Sequence, residues 1–451
     1  MNIFTRTQIK IAGAVLLAGL AIGVSCVPTR PSEPPSRKQK RRRADTLTVF
    51  ITGNTLGELK PCGCSGGQLG GLDRRSVVFN RVPAEKRLIL DTGALVRNDL
   101  EQDLIKFNVT IQALSLLNYH VVNLTEKDVE ISRNLGLLDD PVLRFISPYA
   151  ADEGLAKGFQ GRYSLNGESV VVNVVTHDAE TSPIERVRDF FGPEEPGEKT
   201  INILLINRFN DAIYTSIAKL GMVDCVICPA VSDEPMVVGE PGRNPLVLSA
   251  GRFGRYIGKL QIEAIQGIDD FEFSFQAIAV EEDLEPDAAL ISLYEDYQHL
   301  VKEANLLEEH SRFILPNGLK YAGSKSCMAC HDYVYKTWGT KAHARAFATL
   351  ERVGSNYDPE CVVCHVVGMN YESGFITQEK TPQMKNVGCE NCHGPGSEHI
   401  KTMGMTALTK PKSTCTDCHT PEHSGDYAGN EDAFRKKIIH WREPNAVNSV
   451  K

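Results

Sequence analysis

The sequence is poor in histidine over most of its length and rich in it only near the C-terminus. Between residues 47 and 298 it has only His120 and His177, too few for a histidine-rich metal centre. It has no surplus of basic residues, because its formal net charge is −8, and this gives no reason to expect nucleic-acid binding. The N-terminal apolar run from Ile11 to Val24 is shorter than the roughly 20 residues of a membrane span.

A short apolar run of this kind is typical of an export signal. Arg6 and Lys10 precede it, and Cys26 follows it where a lipid-modified cysteine would lie. We expect residues 1–26 to be a cleaved signal peptide, a lipoprotein signal or an uncleaved membrane anchor. Residues 27–46 are a basic, proline-rich linker, which we interpret either as a solvated tether or as a segment that contacts anionic lipid headgroups.

The 13 cysteines are unevenly distributed, since eight of them lie between Cys327 and Cys418. Such clustering is typical of cofactor ligation rather than of a disulfide framework. Outside the cluster and beyond Cys26, the remaining cysteines are Cys62, Cys64, Cys225 and Cys228. These four have three interpretations: one or two disulfides, a four-thiolate zinc or iron–sulfur site, or redox-active thiols.

The clustered cysteines form four Cys-x-x-Cys-His motifs, the signature of covalent haem attachment. In each motif the two thiols bond to the haem vinyl groups, and the histidine becomes the proximal ligand of the iron. Zinc binding would leave the histidine after every pair unexplained. The motifs predict four covalent c-type haems, close enough together for electron hopping. The predicted haem-binding residues are Cys327, Cys330, His331, Cys361, Cys364, His365, Cys389, Cys392, His393, Cys415, Cys418 and His419.

The residues around these motifs resemble the tetrahaem cytochrome c-554/c-prime family over roughly residues 320–441. The segments that carry the resemblance are Tyr321-Ala-Gly-Ser, Trp338-x-Thr-x-x-His343, Gly388-Cys-Glu-Asn-Cys-His-Gly-Pro-Gly-Ser-Glu-His399, Cys418-His-Thr-Pro421 and Ile439-His440. The resemblance implies a mostly helical and irregular domain at residues 321–445. Because aliphatic residues become scarce there, we expect the haems themselves to form its core.

The resemblance also implies which histidines bind iron from the side opposite the motif histidine. It assigns His343 to the haem of His393, and His399 to the haem of His419. His440 is a candidate for the haem of His331. These three assignments complete the predicted iron ligands.

The resemblance also implies that one haem has an open iron. No histidine lies between His365 and His393, so the haem of His365 is the best candidate. His423 is too close to His419 to reach the same iron and is expected not to bind one. The methionines that might close an open site are Met369, Met384, Met403 and Met405. Methionines near haem are more often core fillers.

Residues 47–282 alternate short apolar strands with helical stretches, which predicts an α/β domain. The last two predicted strands, Gly258–Ile265 and Phe271–Val280, alternate apolar and polar residues and are expected to pair antiparallel. An amphipathic helix is predicted from Leu284 to His310, within a helical linker at residues 283–320. The other predicted elements are strands Leu47–Ile51, Leu88–Leu90, Val170–Val175, Ile201–Ile206 and Leu246–Leu248, and helices Asp103–Leu117 and Asp211–Leu220.

Residues 47–265 resemble the calcineurin-like metallophosphoesterase sandwich of periplasmic 5'-nucleotidases. The segments that carry this resemblance are Phe50-Ile-Thr-Gly-Asn-Thr-Leu-Gly-Glu-Leu59, Gly70-Gly-Leu-Asp-Arg-Arg75, Leu88-Ile-Leu-Asp-Thr-Gly93, Gly221-Met-Val-Asp-Cys-Val-Ile227 and Leu248-Ser-Ala-Gly-Arg-Phe-Gly-Arg-Tyr-Ile-Gly258. Hydrolysis at two metals needs converging carboxylate, amide and imidazole ligands. At the aligned positions this chain has Asn54, Leu56, Ala94, Leu124 and Thr125. We therefore expect the fold without its metals and without hydrolase activity.

Together these features predict an exported cytochrome on the periplasmic side of the cytoplasmic membrane. It would exchange electrons with redox partner proteins, such as other cytochromes or quinol-linked donors, and contact the membrane through its N-terminal anchor or lipid. One alternative is an oxidoreductase that acts on a small nitrogen or sulfur compound at the His365 haem. Another is an active nucleotidase with a cytochrome tail.

Overall fold

The computed structural model describes residues 45–61, 68–149, 154–191, 198–240, 242–265, 270–409, 414–421 and 423–441. The predicted export segment at residues 1–26, nearly all of the linker at 27–46, and Cys26, Cys62 and Cys64 lie outside these ranges. No helix in the described ranges is long and apolar enough to cross a membrane.

Two six-stranded sheets dominate the first two thirds of the described chain. The strands are β1 (Thr46–Thr52), β2 (Arg87–Asp91), β3 (Val121–Asn123), β4 (Phe145–Ile146), β5 (Gly158–Leu165), β6 (Glu168–His177), β7 (Lys199–Ile206), β8 (Cys225–Cys228), β9 (Met236–Val237), β10 (Leu246–Ser249), β11 (Tyr256–Ala264) and β12 (Phe271–Ala279). The first sheet has the order β12-β11-β1-β2-β3-β4, and the second has the order β5-β6-β7-β8-β10-β9.

Short helices and 3-10 turns complete the described chain. The α-helices are α1 (Arg75–Phe79), α2 (Glu101–Leu116), α3 (Glu126–Leu135), α4 (Asp211–Leu220), α5 (Ala288–Glu303), α6 (Leu306–Glu309), α7 (Asp332–Trp338), α8 (Ala346–Val353), α9 (Pro359–His365), α10 (Cys389–His393), α11 (Ser397–Lys401) and α12 (Glu431–Lys437). Asn210 caps α4 by accepting from the Ile213 amide, which explains why the predicted start of this helix is correct.

The sheets pack face to face, and helices cover their outer faces. In β1, Val49 and Ile51 belong to the core between the sheets, whereas Phe50 packs in the cluster that includes α2 and α5. Ile217 of α4 packs on the outer face of the second sheet. Successive side chains of a strand point to opposite faces, so strands covered on both sides are apolar throughout. The predicted α/β sandwich is confirmed.

The strand directions explain which loops meet at one edge. β1, β2, β3 and β4 run parallel, so their carboxyl ends lie together. β11 pairs antiparallel with both β1 and β12, as the alternating sequence of the last strands predicts. Three backbone bonds join the loops after β1 and β2, including Asn54 N to Gly93 O at 2.7 Å and Leu56 N to Ala94 O at 3.1 Å. We call this carboxyl end of the first sheet the loop edge.

The helix predicted from Leu284 to His310 is two helices, because Asn305 has a φ of 56° and breaks the run between α5 and α6. α5 begins later than predicted, since Asp287 caps it by accepting from the Ala289 amide at 2.9 Å. Tyr297 and Val301 of α5 are buried in the same cluster as α2. The predicted linker helix therefore packs with α2 on the outer face of the first sheet.

The C-terminal region has an apolar core of its own, which the sequence analysis did not predict. Its buried residues are Leu307, Phe347, Leu350, Val362, Val366, Val367, Met369, Phe375 and Met384. They come from α6, α8, α9 and the loop that follows. Protein side chains therefore form an apolar core in this region, and the haem core expected beside it stays a prediction.

Candidate haem sites

The four motifs lie on short helical segments. The second and third motifs occupy α9 and α10, while the first and fourth overlap the 3-10 turns Ser324–Cys327 and Thr414–Asp417. In the first motif the His331 amide donates to the Cys327 carbonyl at 3.0 Å, and in the fourth the His419 amide donates to the Cys415 carbonyl at 2.8 Å. Such a turn places the first cysteine and the histidine on the same side of the segment, as covalent haem attachment requires.

The motifs lie side by side in two pairs. The thiols of Cys327 and Cys389 share a hydrogen bond, which raises the pKa of Cys327 and lowers that of Cys389 to about 7. A second bond between Cys364 and Cys418 lowers the pKa of Cys364 to about 7 and raises that of Cys418. The first motif therefore adjoins the third, and the second adjoins the fourth.

Two pairs of histidine rings have the separation expected for two ligands of one iron. The ring centroids of His331 and His399 are 6.2 Å apart with an interplanar angle of 20°, and those of His343 and His419 are 6.2 Å apart at 38°. An imidazole nitrogen binds a metal at about 2 Å, and its ring centre lies about 1 Å further out, so two opposed imidazoles have centroids about 6 Å apart. The residues present therefore fit axial ligation of iron.

Hydrogen bonds at Nδ1 leave the Nε2 atoms of several histidines available. Nδ1 of His365 bonds the Ala346 carbonyl at 2.7 Å, and Nδ1 of His399 bonds the Thr406 carbonyl at 2.7 Å. His440 bonds its own loop in the same way, through the Ile438 carbonyl at 2.8 Å, and His419 bonds Ser424 Oγ at 2.9 Å. An acceptor at Nδ1 fixes the tautomer whose Nε2 lone pair is free for a metal.

Burial keeps the central imidazoles in the neutral form that metals bind. It lowers the pKa of His343, of His393 and of His419 below the ordinary value of histidine. For His343 the nearby His419, His365 and His440 lower the pKa further. Neutral imidazole is the ligand form, so these environments suit ligation.

The ring contacts agree only in part with the pairing that the resemblance implied. The ring of His343 lies against that of His419, and the ring of His399 lies against that of His331. His343 also lines one small cavity together with His393, its implied partner, and His440. Spacing along the chain does not reveal these neighbours, because they depend on how the loops between motifs cross.

His365 stands apart from the paired histidines. Its Nδ1 also lies 3.4 Å from Thr349 Oγ1, and no second histidine ring stacks with it among the described residues.

The methionines and His423 are poorly placed to bind iron. Met403 and Met405 are 92% and 87% exposed, which is unsuited to an iron ligand. Met369 and Met384 are buried in the apolar core, as expected of core fillers. His423 is exposed and shares a 3.0 Å bond with Thr420 Oγ1.

The two carboxylates at the loop edge of the sandwich are bonded to protein groups. Asp91 accepts from Thr52 Oγ1 at 2.6 Å and from the Gly93 amide at 2.9 Å. Asp128 accepts from the Ala94 and Leu95 amides at 2.7 and 3.0 Å. Burial raises the pKa of both carboxyls. Within the described ranges no three His, Cys, Asp or Glu residues are grouped as metal ligands would be.

The backbone at this edge is nevertheless unusual. Asn54, Leu56 and Ala94, three of the positions aligned with family ligands, have φ angles of 49°, 55° and 57°. Leucine and alanine rarely adopt this left-handed region, and such conformations concentrate at functional sites. These left-handed conformations are a signal that side-chain types alone do not carry.

Cys225 and Cys228 are not joined to each other. Cys225 is buried between the two sheets, whereas Cys228 lies in the apolar cluster on the outer face of the second sheet. Both thiols are free, and burial raises the pKa of Cys228 to about 11. A disulfide between these two residues is therefore excluded, because they point to opposite faces of β8.

Comparison with known proteins gives two sets of similarities. Residues 326–394 match the family model described as cytochrome c554 and c-prime. Cytochrome c-554 of Nitrosomonas europaea is 33% identical over 91 residues, which are 17% of this chain and 39% of that protein. This chain therefore spans about two fifths of the length of that relative.

Solved structures similar to the chain include a calcineurin-like phosphoesterase and a sulfate thiohydrolase. The phosphoesterase YfkN of Bacillus subtilis has 12% identity and a TM-score of 0.45, covering 58% of this chain and 99% of that one. Sulfate thiohydrolase SoxB of Thermus thermophilus has 11% identity and a TM-score of 0.40, covering 73% of this chain and 81% of that one.

The cytochrome c554 and c-prime match includes the first three motifs and confirms the family resemblance for residues 326–394.

Proposed function

We propose that this multihaem cytochrome carries electrons through four covalent haems, and that its phosphoesterase-like sandwich has lost its metals. The observation that carries the proposal is the spacing of two histidine pairs, His331 with His399 and His343 with His419, at 6.2 Å between ring centroids. When bound, c-type haem supplies a one-electron couple. The thiols of each motif hold it, and the neutral imidazoles set its coordination.

Iron with two imidazole ligands is closed to substrates, and it therefore favours electron transfer over catalysis. His393 and His440 line one cavity and form the third candidate pair. The adjoining motifs, first with third and second with fourth, support short distances between neighbouring cofactors. We infer that electrons pass between these neighbouring haems, to and from partner proteins such as other cytochromes or quinol-linked donors.

The protein is proposed to work on the periplasmic side of the cytoplasmic membrane, anchored through its N-terminal segment or a lipid on Cys26. Covalent attachment of c-type haem is completed outside the cytoplasm, and the sequence before Cys26 is typical of export. The test is fractionation of the native protein with and without alkaline wash. Release of the full chain by the wash would contradict anchoring.

A second function is favoured by one observation, the absence of a stacked histidine at His365 among the described residues. An iron with a free position there would bind a small nitrogen or sulfur compound. Electron paramagnetic resonance of the ferric protein separates the two functions. A high-spin signal that nitrite, nitric oxide or hydroxylamine removes supports an enzyme, whereas wholly low-spin iron supports a carrier. Hydrolysis is disfavoured because, among the residues that the structure describes, no metal ligands converge at the loop edge.

A further inference from the structure

The loop edge of the sandwich holds the helix of the second motif through buried polar contacts. Gln102 Nε2 of α2 donates to Asp358 Oδ1 at 2.8 Å, and the Tyr297 hydroxyl of α5 donates to Asp358 Oδ2 at 2.8 Å. Asp358 also caps α9, because its carboxylate accepts from the Glu360 amide at 2.9 Å. α9 therefore starts on a carboxylate that the sandwich itself fixes.

Water is excluded from the contact between the Tyr297 hydroxyl and the Asp358 carboxylate. Tyr297 is 2% exposed and Asp358 is 8% exposed. Burial raises the pKa of each. Gln298 of α5 extends the contact by donating to the Val353 carbonyl at 2.6 Å and to Ser355 Oγ at 3.1 Å. Water cannot replace hydrogen bonds in such a setting, so breaking them is costly and the start of α9 is firmly held.

A buried cation completes the contact. Lys106 of α2 forms an ion pair with Glu360, and its side chain is only 8% exposed, whereas that of Glu360 is 58% exposed. Burial alone would lower the pKa of Lys106, but the carboxylates of Glu360, Asp358 and Glu58 raise it above its ordinary value. The ion pair therefore places a positive charge beside the first turn of α9.

The position of Lys106 relates it to the loop edge. Its side chain passes 3.2 Å from where a Cβ of Gly57 would lie, and Gly57 has a φ of +82° that favours glycine. Gly57 directly follows Leu56 in the loop after β1. An ammonium group thus supplies positive charge at this edge.

We propose that Lys106 sets the reduction potential of the haem attached at Cys361 and Cys364, and that this tuning is a role of the sandwich. The inference rests on the proposed electron-transfer function. Glu360 precedes Cys361 in the chain, so the charge pair adjoins the attachment point of that haem. A fixed cation stabilises the reduced haem, which carries one more electron, and a nearby anion has the opposite effect.

The test is an optical redox titration of the full-length, haem-loaded protein with Lys106→Met, Glu360→Gln and the double variant. We expect Lys106→Met to move one of the one-electron transitions to lower potential, by roughly threefold to tenfold in the ratio of ferrous to ferric iron, or about 30 to 60 mV. Glu360→Gln should move the same transition upward by less, since its carboxylate is more exposed. The double variant should return toward the unmodified protein.

Two controls separate tuning from structural damage. Lys106→Arg keeps the charge and should leave the transition in place. Lys86→Met removes an equal charge from an ion pair with Asp45, next to the start of β2 and so away from the loop edge, and should move nothing. If Lys106→Met does not fold, the exposed Glu360→Gln variant decides the question alone.

Three outcomes would overturn the inference: equal-sign shifts in both single variants, a shift of every transition together, or no shift. The failure of the proposed function is distinguishable from these. Unmodified protein without covalent haem or without reversible one-electron transitions would refute the cytochrome itself. Reversible transitions whose potentials do not change in Lys106→Met would refute only the tuning.

Discussion

Replacing Asp358 with alanine should destabilise the protein strongly, because three donors converge on its buried carboxylate. Loss of the α9 cap costs about 1 kcal/mol. The Tyr297 hydroxyl and the Gln102 amide then lose an acceptor, and each buried group left unpaired costs about 1–3 kcal/mol. These two groups still bond each other at 2.9 Å, which favours the lower end of that range. We expect the free energy of unfolding to fall by about 2–4 kcal/mol.

The matched control is Asp358→Asn, which keeps the shape of the side chain. Its amide oxygen accepts from Gln102 and from the Glu360 amide, and its NH₂ group donates to the Tyr297 hydroxyl. We expect a loss of no more than about 1 kcal/mol. Urea unfolding of the haem-loaded chain, followed by circular dichroism, measures both variants. A loss for Asp358→Ala within about 0.5 kcal/mol, the range of ordinary surface substitutions, would refute the reasoning.

Comparison of the unmodified protein with Asp358→Asn also predicts how the free energy of unfolding depends on pH. Burial raises the pKa of Asp358 above its ordinary value of 3.8, and the folded state therefore binds this proton more tightly than the unfolded state. The contribution to stability is complete below the unfolded pKa and is lost as pH rises through the folded pKa. Across that window the unmodified protein should lose stability relative to Asp358→Asn. A stability difference that is constant from acid to neutral pH would contradict the assigned shift.

Two further predictions concern ligation and hydrolysis. His343→Ala and His399→Ala should each convert one low-spin haem to high spin, visible by electron paramagnetic resonance, whereas His423→Ala should not; unchanged spectra in the first two would contradict the ring pairing. The full-length protein should not hydrolyse nucleotides or bis(p-nitrophenyl) phosphate, even with added manganese or zinc, since its loop-edge carboxylates are already bonded to protein groups. Turnover with stoichiometric bound metal would support the alternative of an active nucleotidase with a cytochrome tail.

Local chemistry explains what the sequence predicts well. The Cys-x-x-Cys-His motifs, the antiparallel pair β11–β12 and the limits of α4 depend on short-range signals: fixed spacing, alternation and a capping asparagine. The α/β sandwich is also predictable, because buried strands such as β7 are continuous apolar runs.

Long-range arrangements were not predictable in the same way. Which distal histidine meets which motif depends on loop crossings, so the ring contacts of His343 with His419 and of His399 with His331 cannot be found from spacing along the chain. The contact of Lys106 with Glu360 joins residues far apart in the chain, and neither residue type signals it. The left-handed φ angles of Leu56 and Ala94 are likewise a property of the folded loops.

The central claim, covalent attachment of four haems, is tested most directly by the intact mass of the purified chain. Loosely bound haem is first removed by acid–acetone extraction. Four haems, one for each Cys-x-x-Cys-His motif, should add about four times roughly 0.6 kDa to the mass of the processed polypeptide. A mass equal to that of the haem-free polypeptide would contradict the whole account, and a mass with fewer than four haems would contradict the predicted number.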